Sequence, residues 1–66
     1  MKITYDPGVD VLRITLSSTP IEESDEEQPG VIFDYDEEGN IVGLEILEAS
    51  KRMDNPRCVE YYINEK

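Results

Sequence analysis

The sequence contains no histidine, no tryptophan and one cysteine, Cys58. Each absence removes a class of chemistry. Without histidine, no Ser-His or Cys-His pair can activate a nucleophile. One cysteine cannot form an internal disulfide, and Cys and His together are too few for a structural zinc site. Basic residues are also scarce: six Lys and Arg stand against sixteen Asp and Glu, for a net charge of −10. Positions 14 to 50 hold no base at all and eleven acids. Such a surface repels phosphate and anionic lipid, so neither nucleic acid nor membrane is an expected partner. No apolar run approaches the roughly 20 residues of a membrane span. Met1-Lys2-Ile3-Thr4-Tyr5-Asp6 lacks the apolar stretch and cleavage site of a secretory leader. A cytoplasmic location is the expectation, and an unpaired thiol agrees with it.

What is present favours strands. The 66 residues allow one domain, spanning 1–66, with a thin core; chains near this size bury only about 60% of their unfolded surface. Leu, Ile, Val and Phe number 17 of 66, above the roughly 20% below which high charge signals disorder. Val and Ile number 12, Leu and Ala only 5. β-Branched side chains are stiff in helices and pack well on a pleated surface. With no disulfide or metal as a staple, a second chain is the remaining support. A stable isolated monomer is therefore not expected.

Ile3 and Tyr5 alternate with polar neighbours, then Asp6-Pro7-Gly8 reads as a turn with Gly8 free to take positive φ. Asp10 is placed to bond amides of the same connection. Leu12, Ile14 and Leu16 give the clearest half-buried strand. Residues 18–30, with two prolines and five acids, read as a loop anchored by Ile21. Val31, Phe33 and Tyr35 form a third strand. Asp36-Glu37-Glu38-Gly39-Asn40 forms a turn, and Val42, Leu44 and Ile46 a fourth strand. The period then changes, and Leu47 to Met53 reads as a short helix ended by Asn55-Pro56. Residues 57–66 fit a helical or a strand face, with Val59, Tyr61 and Ile63 favouring a strand. The predicted fold is α+β, mainly β: a small antiparallel β-meander of four strands, with 57–66 as a candidate fifth, and one short helix over one face. The core face is assigned to Ile3, Tyr5, Leu12, Ile14, Leu16, Val31, Phe33, Tyr35, Val42, Leu44 and Ile46.

The sharpest chemical motif spans Asp34 to Glu45. It mimics a calcium loop, with Asp34, Asp36, Glu38, Gly39, Ile41 and Glu45 at positions 1, 3, 5, 6, 8 and 12. A calcium loop needs a helix on each side, whereas these flanks alternate with period two; the hairpin is the preferred reading. The run Glu22, Glu23, Ser24, Asp25, Glu26, Glu27 could gather a cation only with preorganised geometry, and a solvated loop explains it. Arg57 beside Cys58 could activate the thiol, but an incidental thiol is the plainer reading. No catalytic residue, metal ligand or cofactor site is assigned.

Three stretches carry a family resemblance: Met1 to Pro7 with Asp10 and Leu12, Pro29 to Asn40, and Val42 to Arg52. Together they resemble the prokaryotic domain-of-unknown-function family numbered 2283 over residues 1 to 52. Gly8 and Val9 stand where the family usually has Glu and Ala. The resemblance brings no established activity and so no catalytic residues. It implies genes beside those of a second small family, numbered 4258 and similar to toxin-like nucleases, and hence an antitoxin-like role. The function expected is a non-catalytic protein–protein interaction module that self-associates and takes a basic partner. The partner-facing candidates are Glu22, Glu23, Asp25, Glu26 and Glu27. The alternatives are a purely structural homo-oligomer and a metal-dependent accessory with a carboxylate site.

Overall fold

A computed structural model describes residues 1–65. Five antiparallel strands form one open sheet: β1 (Lys2–Asp6), β2 (Val11–Thr15), β3 (Glu23–Gln28), β4 (Val31–Tyr35) and β5 (Ile41–Leu47). A single helical turn, α1 (Ala49–Arg52), follows. This is the mainly β, antiparallel architecture with one short helix that the alternation predicts. The spatial order is β1-β2-β5-β4-β3. Consecutive strands therefore do not always adjoin: β5 lies between β2 and β4, and residues 16–22 carry the chain to the far edge.

The predicted loop at 18–30 is corrected, because residues 23–28 of it are a strand. Glu23 pairs with Tyr35, Ser24 with Asp34 and Asp25 with Phe33. The segment Glu-Ser-Asp-Glu-Glu-Gln holds no β-former, so side-chain preference did not reveal it. Backbone pairing makes the strand: the outer edge of β4 offers amides and carbonyls that need partners. Pro29-Gly30 turns the chain in two residues, with Gly30 at φ 80°, as a type II turn requires. The fifth strand is thus β3 and not the C-terminal segment. Residues 57–65 form neither strand nor helix, and Val59, Tyr61, Tyr62 and Ile63 stand exposed. Lys66, which the candidate strand included, lies outside the described residues.

Residues opposed across an antiparallel pair point to the same face. The register therefore builds two apolar rows across four strands. One runs Tyr5, Leu12, Ile46, Val31; the other runs Ile3, Ile14, Leu44, Phe33. The direction of the core face is as the alternation predicts, but its burial is not. Only Leu12, Val42 and Ala49 are buried among the apolar residues, no large side chain is fully buried, and Ile3 and Leu16 are exposed. The predicted helix over one face is likewise corrected. Packing between elements is overwhelmingly strand against neighbouring strand, and the shortest dimension is 18 Å. The sheet is a single layer, whereas domains ordinarily stack two.

The α1 turn sits at one end of the sheet, held by Asp10. Positive φ falls on Asp10, at 57°, and not on Gly8 as the turn reading expected. The loop Pro7–Asp10 re-enters β2 through this left-handed residue, a conformation Asp tolerates better than most. Gly8 instead donates its N–H to Asp6 Oδ1 at 2.9 Å. Asp10 then reaches 40 residues along the chain rather than into its own turn. Its C=O accepts from Ala49 N at 3.0 Å. Its carboxylate accepts from Ser50 N at 2.9 Å and Ser50 Oγ at 2.6 Å, and from the Tyr5 hydroxyl at 2.8 Å. On the other side of α1, Arg52 donates to the Pro29 carbonyl.

These bonds favour the charged carboxylate. Donation by the Ser50 hydroxyl, then by Tyr5, holds Asp10 below its ordinary 3.8. A carboxylate lowered by folding stabilises the native state above its unfolded pKa, and that contribution is lost as pH falls through the folded value. The unfolding midpoint should therefore drop on acidification below about pH 4. Thermal melts of Asp10→Asn should show a lower midpoint near neutrality and a shallower acid limb. An acid limb unchanged by the substitution would contradict the latch.

Candidate functional site

The opposite face of the sheet carries Val11, Ile32 and Leu47 as well as polar residues, and its centre is a cross-strand charge cluster. Arg13 on β2 is paired with Glu45 on β5, and Asp34 on β4 is paired with Gly43 on β5 and Ser24 on β3. Arg13 Nη1 donates to Glu45 Oε1 at 2.5 Å. Its Nη2 lies 3.5 Å from Asp34 Oδ2. Ser24 Oγ donates to Asp34 Oδ1 at 2.6 Å. Asp34 is 3% exposed, and its Oδ2 accepts no hydrogen bond among the described residues. One guanidinium thus neutralises two carboxylates from two different strands.

Gly43 makes room for this arrangement. A Cβ there would stand 3.1 Å from Asp34 Oδ2 and 3.2 Å from the Ile14 carbonyl. The second of these is backbone of the central strand and cannot swing away. Residues 17–21 wall a cleft of about 270 Å³ beside Arg13, Asp34 and Gly43. In the sequence Arg13 is the polar half of an alternation and Asp34 the first position of the calcium-loop motif, with nothing to join them. The signal that joins them is register, and register needed the strand order.

The same cluster disposes of the calcium-loop resemblance. Asp34 and Glu45, its first and last positions, both face Arg13. Asp36, its third, accepts from the amides of Glu38 and Asn40 at 2.9 and 2.8 Å, and from Asn40 Nδ2 at 3.2 Å. Asn40 donation comes first among the causes that hold the Asp36 carboxyl below its ordinary range. Gly39 takes φ 84°, and the segment is the β4–β5 hairpin. Among the described residues, no three acids or thiols gather as a metal ion would need.

The five partner-facing candidates lie on or beside β3, and all are exposed. Glu22 immediately precedes the strand; its N–H donates to the Tyr35 carbonyl at 2.8 Å. Glu23 and Asp25 lie opposite Tyr35 and Phe33 and so share the face of the two apolar rows, whereas Glu26 lies opposite Ile32 on the face of the charge cluster. Glu26 accepts from Gly30 N at 2.8 Å. Glu27, at the bulge, accepts from the Tyr35 hydroxyl at 2.5 Å. That bond and, second, desolvation push the phenol up to about 12. An extended strand alternates faces, so it spreads this acidic run rather than folding it into a cage. Cys58 is exposed, and the neighbouring Arg57 guanidinium lies over the Tyr5 ring, 5.8 Å from its centroid.

The cluster, the latch and the hairpins all lie within a stretch that a family model matches, residues 2–50. The chain belongs to DUF2283, a family of proteins of unknown function. The match takes in all five strands and the start of α1. No curated protein and no solved structure matches the chain. In this DUF2283 chain the residues that carried the resemblance do structural work: Tyr5, Asp10 and Ser50 form the latch, and Gly30 and Gly39 turn the two hairpins. Among the described residues, no helix is long and apolar enough to cross a membrane.

Arg13→Met removes the cation that faces the buried Asp34 carboxylate and should cost about 1–3 kcal/mol, the usual penalty for stranding a buried polar group. Urea unfolding measures it. The double variant Arg13→Met, Asp34→Ala should cost less than the two single costs added, because the stranded charge has gone. Strict additivity would remove the coupling argued here.

Proposed function

We propose that the chain is a cytoplasmic, non-catalytic protein–protein interaction module that takes a basic protein partner along β3. The observation that carries this reading is that the most acidic segment is an edge strand with every residue exposed. An edge strand presents unpaired backbone donors and acceptors to an added strand. Carboxylates on both faces of β3 would steer a cationic segment to that edge and disfavour an anionic one. An antitoxin-like role, in which the partner is a basic toxin-like protein, is the form of this reading that the family resemblance favours. A metal-dependent carboxylate site draws no support from the arrangement, since Asp34 and Glu45 are neutralised by Arg13 and Asp36 by its own turn.

The test is affinity capture from the native host, with kinetics on whatever is retained. A basic protein should bind the parent chain quickly at low salt and more slowly as salt shortens the Debye length. Reversing Glu22, Glu23 and Glu26 to Lys should slow association by about tenfold or more with a smaller effect on dissociation. Folding should survive, since substitutions at exposed positions usually cost under about 0.5 kcal/mol each. Retention of no basic protein, or association indifferent to salt and to the triple reversal, would refute the proposal.

A further inference from the structure

The apolar face lacks a covering layer, and the amount of surface it leaves is measurable. A folded monomer of 7.6 kDa exposes about 4,300 Å² by the usual scaling. This chain exposes 5248 Å², an excess of about 950 Å², part of it from the extended residues 57–65 and close to the roughly 800 Å² each partner contributes to a standard interface. The two apolar rows are continuous from β1 to β4. The C-terminal segment borders them at β1, where Pro56, Arg57 and Val59 line a groove with Ile3 and Tyr5.

The two borders of this face differ in charge. Along β3 it is edged by Glu23 and Asp25, opposite Tyr35 and Phe33, with Glu27 bonded to the Tyr35 hydroxyl. Along β1 it is edged by the Arg57 guanidinium over Tyr5, whose hydroxyl donates to the Asp10 carboxylate. A sheet laid face to face on a copy of itself has two simple two-fold choices. An axis across the strands sets β3 over β3 and brings six carboxylates together. An axis parallel to the strands sets β3 of each copy over β1 of the other, acid opposite Arg57 twice.

We propose that a second copy of this chain covers the apolar face, related by a two-fold axis parallel to the strands. The pair is an aligned β-sandwich, with sheets about 10 Å apart and twisted by roughly 30°. The rows Ile3, Ile14, Leu44, Phe33 of the two copies then form the core that one copy lacks. The acidic borders exclude the other two-fold, so charge sets the orientation and apolar area sets the strength. The outer edge of β3 stays open, and this inference stands apart from the basic-partner reading.

Sedimentation velocity with three variants decides it. The parent should sediment at twice 7.6 kDa in the micromolar range. Glu27→Lys and Arg57→Glu each set like charges opposite one another, since the register puts Glu27 near the level of Tyr5, and should weaken association by about tenfold or more. The double swap should restore it to within about threefold of the parent. Both positions are exposed, and circular dichroism confirms that each variant keeps its strands. A parent that stays at 7.6 kDa overturns the proposal. So does a dimer indifferent to the single reversals, or one that the double swap fails to restore.

Discussion

Five strands in one layer is the constraint from which the rest follows. A sheet of this kind satisfies its backbone through its neighbours, and here strand pairing supplies nearly all the packing between elements. It cannot also bury both of its faces. Only Leu12, Val42 and Ala49 are buried apolar residues, too few to support 66 residues on a hydrophobic core alone. The chain accordingly treats its two faces differently. One carries a self-neutralising charge cluster beside Val11, Ile32 and Leu47, and the other carries apolar rows that no second layer covers among the described residues.

On the face of the charge cluster, Arg13 does what a bound cation would do. It faces Asp34 and Glu45, which come from neighbouring strands and would otherwise repel. Gly43 leaves the space in which Asp34 can lie across the sheet. The cluster fixes the register of β2, β5 and β4 together, because a slip of one residue would send every member to the other face. At the sheet end, Asp10 performs a comparable task, tying the β1–β2 loop to α1.

Alternation made β1, β2, β4 and β5 legible in the sequence, since Ile3 and Tyr5, Leu12 and Ile14, Val31, Phe33 and Tyr35, and Val42, Leu44 and Ile46 each recur with period two. It could not reveal β3, whose Glu-Ser-Asp-Glu-Glu-Gln has no apolar period; the Pro29-Gly30 turn was the one local sign. The long-range partners were equally hidden. Asp10 and Ser50 are 40 residues apart, and no local rule pairs Arg13 with Asp34 until β5 is placed between their strands. The candidate partner-facing acids were legible as a charged run. Their division between two faces was not, because it depends on their being a strand.

The account stands or falls on whether the uncovered face needs a second copy. Mass action gives a direct measure: if the folded state is a dimer and the unfolded state is not, stability rises with protein concentration. Thermal unfolding at concentrations a hundredfold apart should show the higher sample melting later, by the equivalent of about 2.7 kcal/mol per dimer. A single cooperative midpoint that does not move with concentration would contradict the account, for it would mean that the one-layer sheet is stable alone.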